Sequence, residues 1–179
     1  MKLSRLLALL LFLFAPLSLH AQLGLYGAFT AQNLGGPNNN GYDLYGGTFG
    51  GYLASGRLAI LSVGIDLRGS FARSNGASFD TGSIGPRIGL NTHILPIHPY
   101  VEGTIGLGHV DFTGSSPGSA TKFEYQVLGG LDFTILPRID WRVAEYSYGA
   151  LSTINNYNYR PKSLSTGLVL RLPRILPLP

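Results

Sequence analysis

Apolar and polar residues alternate along much of the chain, most clearly in residues 58–71. The apolar parity there carries Leu61, Val63, Ile65 and Leu67, and the polar parity carries Ser62, Gly64, Asp66, Arg68 and Ser70. A period of two places successive side chains on opposite faces of an extended strand. This stretch therefore predicts a strand with one apolar face and one polar face.

Seven other stretches repeat this layout, and no stretch of helical period is long enough to compete. The predicted strands are residues 22–31, 42–54, 58–71, 81–94, 100–112, 122–134, 139–148 and 163–172. Pro86 lacks the amide hydrogen that a strand ladder requires, and the parity slips near Gly108-His109. We expect a β-bulge at each of these two places.

The connections between the predicted strands alternate in length. The long, turn-rich connections are residues 32–41, 72–80, 113–121 and 149–162, and the short ones are Ser55-Gly56, residues 95–99 and residues 136–138. Short turns at one end and long loops at the other are typical of transmembrane barrels. The sequence therefore predicts an all-β fold, an eight-stranded antiparallel up-and-down transmembrane β-barrel with both termini at the short-turn end.

The polar faces of the strands indicate which side of the sheet is enclosed. They combine acids with arginines, namely Asp66, Arg68, Arg87, Glu102, Glu124, Asp132, Asp140, Arg142 and Arg171. A narrow interior favours such balanced sets, because the planar arginine fork binds a carboxylate through two parallel hydrogen bonds. We predict that these nine residues form a charge network in a polar, plugged lumen, whereas a solvated exterior would carry a denser charge.

Aromatic residues gather near both ends of the predicted strands. Those near the loop ends are Phe29, Tyr42, Tyr45, Phe71, Phe112, Phe123, Tyr125, Tyr146 and Tyr148, and those near the turn ends are Tyr52, Tyr100, Phe133 and Trp141. Two such girdles suit a lipid-facing surface with two interfaces. The alternative is a soluble periplasmic ligand-binding barrel, in which the same alternation would place the apolar set inside.

Residues 1–21 have the features of a secretory signal peptide. Lys2 and Arg5 precede an apolar run over residues 6–14, and Leu19-His20-Ala21 forms a cleavage site before Gln22. The apolar run is shorter than the roughly 20 residues that a membrane-spanning helix needs. We therefore predict an exported protein with residues 22–179 as its barrel domain and the outer membrane as its location.

Composition excludes several functional classes. Charged residues make up 12% of the chain, about half of the roughly 25% found in soluble domains. Residues 22–179 hold eleven basic and nine acidic residues, which gives no reason to expect a nucleic-acid partner. Without cysteine there is no disulfide framework and no lipid-modified cysteine, and we predict neither a metal nor a cofactor.

With eight strands, alternating loop lengths and a signal peptide, residues 22–172 resemble the small outer-membrane β-barrels of the OmpA-like and OmpX-like kind. The resemblance implies a monomer in contact with outer-membrane lipid, with a structural or surface-interaction role. Such barrels usually end in an aromatic residue, whereas this chain continues after Leu172 with residues 173–179 and no terminal Phe.

Two features are candidates for a more specific activity. His109 and Asp111, with Ser115 and Ser116 nearby, suggest an outer-leaflet lipid-modifying barrel enzyme as the alternative to a non-catalytic protein. Residues 32–41 and 149–162 are rich in Asn, with Tyr in the second loop. Loops of that composition make adaptable contacts, so they are the predicted site for a surface ligand.

Overall fold

The computed structural model describes residues 22–35, 41–58, 61–90, 95–113, 118–152 and 158–172. Its strands are β1 (Gln22–Asn33), β2 (Asp43–Leu58), β3 (Leu61–Arg73), β4 (Ala77–Leu90), β5 (Ile97–Phe112), β6 (Gly118–Leu136), β7 (Ile139–Leu151) and β8 (Lys162–Arg171). The predicted signal peptide and the residues after Leu172 lie outside the described part. The prediction that a leader is removed before a barrel domain of residues 22–179 therefore stays a prediction.

Each strand pairs antiparallel with the next one in the chain, and β8 pairs with β1 to close the barrel. The closing ladder pairs Gly27 with Leu168 and Asn33 with Lys162. The predicted eight-stranded up-and-down topology is confirmed. Among the described residues, no helix is long and apolar enough to cross a membrane.

The two faces of each strand point as the alternation predicts. On β3, Leu67 is 63% exposed whereas Asp66 is fully buried, and Ile65 and Arg68 continue the same alternation. In this part of the wall the barrel therefore presents its apolar side chains outward and encloses its carboxylates and guanidinium groups. A soluble barrel with an apolar interior would require the opposite arrangement in this part of the wall.

Several strands end elsewhere than predicted. The turn expected at Ser55-Gly56 is wrong, because β2 continues to Leu58 and its backbone pairs Ser55 with Val63 across a register shift. The long loop expected over residues 72–80 is also wrong, since β3 and β4 are joined by residues 74–76 alone. The predicted alternation of long and short connections therefore fails between β3 and β4.

The bulges also fall at places other than those predicted. The ladders beside Pro86 keep a constant register, as do those around Gly108 and His109. The register instead shifts between Ser55 and Arg57, twice between β6 and β7, and between Arg142 and Glu145 on β7. The last shift matters most, because a bulge re-aims the side chains that follow it.

The two faces exchange polarity at the loop end of the barrel. There the interior holds a cluster of buried apolar side chains, which we call the apolar plug: Leu34, Leu44, Ala72, Ala77, Phe79, Val110 and Leu151. At the same height the outer wall carries the ion pair between Arg73 and Asp80 and the contact between His109 and Asp111. The exchange explains the slip in parity near His109 without a bulge, and it shows that the wall continues beyond the apolar band.

The expected girdles need correction at three positions. Tyr52 and Tyr100 are buried inside the barrel, and Phe112 packs against the apolar plug. The alternation itself carries this information, since all three share the parity of the enclosed residues on β2 and β5. Phe133 and Trp141 remain exposed at the turn end.

The small cross-section of the barrel makes inward glycines necessary. A Cβ atom at Gly106 would overlap the carbonyl oxygen of Gly82, whereas a Cβ atom at the outward Gly103 would meet nothing within 4 Å. We expect Gly106→Ala to lower the free energy of unfolding by about 2 kcal/mol, the cost of overpacking. Gly103→Ala is the matched control on the same strand and should leave stability close to that of the wild type.

The measurement is urea unfolding from lipid vesicles, followed by the fluorescence of Trp141, the single tryptophan of the chain. Equal midpoints for the two glycine variants would contradict the claim that inward positions lack room for a methyl group.

Candidate functional site in the barrel interior

Three arginines and four carboxylates meet in the middle of the lumen. We call this group the central cluster: Arg68, Arg87, Arg142, Asp66, Glu102, Asp132 and Glu145. Every member is at most 7% exposed. The side chains come from five strands, β3 to β7, so the cluster exists only once these five strands curve around the lumen.

Arg68 connects three of the carboxylates. Its Nη1 and Nη2 atoms each donate to Glu145 over 3.1 Å, and Nη2 also donates to Glu102 Oε2 over 3.1 Å. Its Nε atom lies 3.3 Å from Asp66 Oδ1. The two-pronged contact with Glu145 is the fork geometry that makes arginine suited to carboxylates.

Arg87 and Arg142 extend the cluster toward the turn end. Arg87 donates to Glu102 Oε1 over 2.5 Å and to Asp132 Oδ2 over 3.1 Å. Arg142 donates to Asp132 Oδ1 and to Glu145 Oε2, each over 3.0 Å. Each of these arginines therefore bridges two acids, and each acid except Asp66 receives two arginines.

Three tyrosines enclose the guanidinium groups. Arg87 lies between the rings of Tyr52 and Tyr100, with its Cζ atom 4.2 and 3.6 Å from their centroids. The Tyr26 hydroxyl donates to Asp66 over 2.8 Å, and the Tyr100 hydroxyl donates to Glu145 over 2.5 Å. Aromatic faces stabilise cations that have lost their water, so these rings provide part of the solvation that the lumen lacks.

Glu145 is the cluster member that the sequence pattern does not reveal. Strict alternation from Arg142 would turn residue 145 outward, but the bulge that follows Arg142 adds one residue and returns Glu145 to the lumen. The carboxylate then contacts Arg68, Arg142 and Tyr100. An acid on the wrong parity, three residues after an arginine, is a signal that could have indicated this bulge.

Asp140 and Arg171 form a separate pair nearer the turn end. Arg171 Nη2 lies 2.5 Å from Asp140 Oδ1, and the hydroxyl of Thr134 contacts both side chains. His98 lies 3.0 Å from the same hydroxyl through Nε2. The structure thus places these two predicted network residues in the lumen but shows no direct ion pair between them and the central cluster.

Glu124 is buried without a cation, contrary to the prediction that it joins the charge network. Its Oε1 atom accepts from Gln126 Nε2 over 2.5 Å, and its Oε2 atom has no hydrogen-bond partner among the described residues. Glu124 pairs with Leu151 of the apolar plug across the β6–β7 ladder. It therefore lies on the loop side of the central cluster, beyond the reach of its arginines.

Hydroxyl groups line the lumen on the loop side of the central cluster. Thr30 contacts Thr48 over 2.7 Å and Ser165 over 2.9 Å, and Ser147 contacts Ser163 over 2.6 Å. Along the lumen, the side chains therefore change from ion pairs through hydroxyls to the apolar plug. No group of three metal-binding side chains lies together in the described ranges.

His109 and Asp111 lie on the outer face of the barrel, at the loop end of β5. Nδ1 of His109 is 2.7 Å from the Thr121 hydroxyl, and Nε2 is 3.2 Å from Asp111 Oδ2. A hydrogen bond with Ser119, helped by His109, lowers the pKa of Asp111 below its ordinary value. Ser115 and Ser116, which the sequence suggested as nucleophiles, fall outside the described residues, whereas Thr121 was not anticipated.

Several solved structures share this architecture. Neisserial surface protein A superposes with a TM-score of 0.58 at 19% identity, covering 85% of this chain and 97% of the other. A major outer membrane protein from Thermus thermophilus gives 0.57 at 10% identity, covering 85% and 99%. Ail, the attachment invasion locus protein of Yersinia pestis, gives 0.53 at 13% identity, covering 84% and 98%.

At these identities the structural matches show the fold alone, and no curated protein sequence matches the chain. The family comparison is more direct, because residues 6–171 match the family described as "Outer membrane protein beta-barrel domain". That match covers most of the chain and agrees with the closed barrel, the apolar exterior and the charged lumen described above. This chain is therefore an outer-membrane β-barrel protein and belongs to that family.

Proposed function

We propose that this protein is a closed, non-catalytic barrel of the outer membrane with a structural or surface-interaction role. It acts as a monomer surrounded by outer-membrane lipid, and its long loops offer a surface for a ligand. The observation that supports this most strongly is the filled lumen. The central cluster occupies its middle, and the apolar plug occupies its loop end.

The two fillings differ in chemistry and lie at different heights. In the central cluster, Arg142 is fully buried, and in the apolar plug Phe79 and Val110 are fully buried. An eight-stranded barrel is just wide enough for its own side chains. An ion crossing the barrel would have to break the ion pairs and then pass an apolar layer that offers it no ligands.

If the lumen is closed, the reconstituted protein should not conduct ions. In planar bilayers at neutral pH, we expect no stepwise current above the leak of a protein-free bilayer, because both fillings block the path. A potassium ionophore added at the end of each recording confirms that the bilayer reports ion flow. Steady single-channel steps from the wild-type protein would refute the closed-barrel proposal.

The central cluster is favourable only while its charges remain matched. Removing one member of a buried ion pair costs about 3–5 kcal/mol, since the partner charge is left without compensation. Arg142 is the arginine whose removal we expect to cost most, because it binds both Asp132 and Glu145 and faces the rings of Tyr26 and Tyr100. Its loss would leave two carboxylates short of a cation.

We therefore expect Arg142→Met, which keeps most of the side-chain volume, to lower the free energy of unfolding by about 3–5 kcal/mol. The control is Arg73→Gln, which removes the exposed ion pair with Asp80 and should cost at most about 1 kcal/mol. Urea unfolding from vesicles provides both values. Similar costs for the two variants would show that burial does not set the strength of the cluster.

A lipid-modifying enzyme is the second candidate, and one observation favours it. His109 lies between the hydroxyl of Thr121 and the carboxylate of Asp111, the order that activates a hydroxyl nucleophile. However, His109 and Asp111 have side chains that are 41% and 42% exposed. That setting gives little of the water exclusion that strengthens electrostatic catalysis, so the non-catalytic proposal is preferred.

The two candidates differ in what His109→Ala should do. If the barrel is not an enzyme, the acyl-chain composition of the outer leaflet stays the same in cells that produce the wild type, the variant or neither. Mass spectrometry of extracted outer-membrane lipid provides the comparison. A change produced by the wild type and lost in His109→Ala would establish the enzyme in place of the non-catalytic role.

A further inference from the structure

Two adjoining depressions mark the outer wall at the loop end, where β1 and β2 meet β7 and β8. The lower one is an apolar groove of about 230 Å³, and the upper one is a polar pocket of about 410 Å³. Asn33 and Lys162 line both. The two depressions are therefore parts of one continuous feature, apolar at one end and polar at the other.

Strand register explains the groove. One row across the wall pairs Tyr45 with Ala31, Ala31 with Leu164, and Leu164 with Tyr146. Tyr45, Leu164 and Tyr146 are all more than half exposed, and they stand beside the small side chain of Ala31. Ala31 therefore forms a low floor between large lipid-facing side chains, with the width of a single strand.

The next row lies two residues nearer the loops, roughly 7 Å higher at the usual rise per strand residue. It pairs Asp43 with Asn33, Asn33 with Lys162, and Lys162 with Tyr148. Tyrosines of the aromatic girdle occur in both rows, and girdles of this kind sit at the membrane interface. The polar pocket therefore opens at the height of the lipid headgroups.

Two cations line this pocket without an acidic partner. Arg160 and Lys162 are exposed, and neither makes an ion pair with a described residue. All nine acids of the chain lie in the described part, so the residues outside it cannot supply a carboxylate side chain. The one nearby acid is Asp43, whose Oδ1 atom accepts from Asn33 Nδ2 over 2.6 Å.

We infer that this feature binds a phosphate-bearing lipid of the outer leaflet. One acyl chain lies in the groove over Ala31, and the phosphate sits between Arg160 and Lys162, with the Asn158 side chain also lining the pocket. The inference deepens the proposed partnership with outer-membrane lipid. It does not depend on a closed lumen, so the conductance experiment and this one can fail independently.

The pairing of the two depressions selects a lipid over a free phosphate ion. A soluble anion would use the cations alone and gain nothing from the groove, which faces hydrocarbon. A lipid satisfies both parts at once, because its charged headgroup and its acyl chain belong to one molecule. The site is therefore specific for an anionic headgroup that carries a chain.

The test is native mass spectrometry of the full barrel in a zwitterionic detergent, titrated with dioleoyl phosphatidic acid. We expect saturable binding that weakens about thirtyfold in Arg160→Gln/Lys162→Gln, given the usual contribution of each of two basic residues near an anionic lipid surface. Arg73→Gln removes an exposed loop-end cation elsewhere on the outer wall and should leave binding unchanged. Dioleoyl phosphatidylcholine, which carries no net charge, should bind equally weakly to all three proteins.

A second variant tests the groove without touching the cations. Ala31→Phe fills the floor between Tyr45 and Leu164 and should weaken the binding of phosphatidic acid while both basic residues remain. Equal loss in Arg73→Gln and the double variant would overturn the site in favour of a general charge effect. Inorganic phosphate that competes fully, together with binding that Ala31→Phe leaves intact, would overturn the lipid assignment in favour of a free anion.

Discussion

The need to compensate buried charge in a very narrow lumen governs this structure. Arg68, Arg87 and Arg142 are buried, and each is held by carboxylates and by tyrosine rings from other strands. Because the partners come from five consecutive strands, the cluster is complete only when all five strands have paired around the lumen. Charge compensation therefore ties the interior chemistry to the topology, and a partly assembled barrel would hold unmatched ions in its interior.

The alternation of polar and apolar residues is sufficient to predict the architecture. Of the nine charges that it assigns to the lumen, the structure places eight in contact with an oppositely charged partner. The alternation carries this information because lipid and a crowded lumen impose opposite demands on successive residues. Glu124 is the exception, since sequence parity shows which face a residue occupies but not its height along the lumen. Tyr52 and Tyr100 share the parity of the enclosed residues, but their aromatic character by itself suggests the girdles. Aromatic residues suit a lipid interface and a buried cation equally well, so residue type does not decide between the two positions.

Other features depend on information that the pattern does not contain. The bulge after Arg142 changes the face of Glu145. Its local sign is the acid itself, on a parity that strict alternation would turn outward, because Val143-Ala144 reads as an ordinary strand segment. The sequence predicts a loop over residues 72–80, but most of these residues belong to β3 and β4 because Ala77 and Phe79 turn inward to the apolar plug. The small and polar residues of this stretch are typical of a loop, whereas the packing of Phe79 on Val110 and Ala72 favours an extended strand.

The exchange of polarity between the two faces at the loop end also fixes how deeply the barrel sits. If the protein shifted outward along the membrane normal, its exposed leucines and phenylalanines would enter water, and if it shifted inward, Arg73 and Asp80 would enter hydrocarbon. Both displacements are opposed by the same short segment of wall. The transition from one pattern to the other thus acts as a waterline, which sets the vertical position of the barrel.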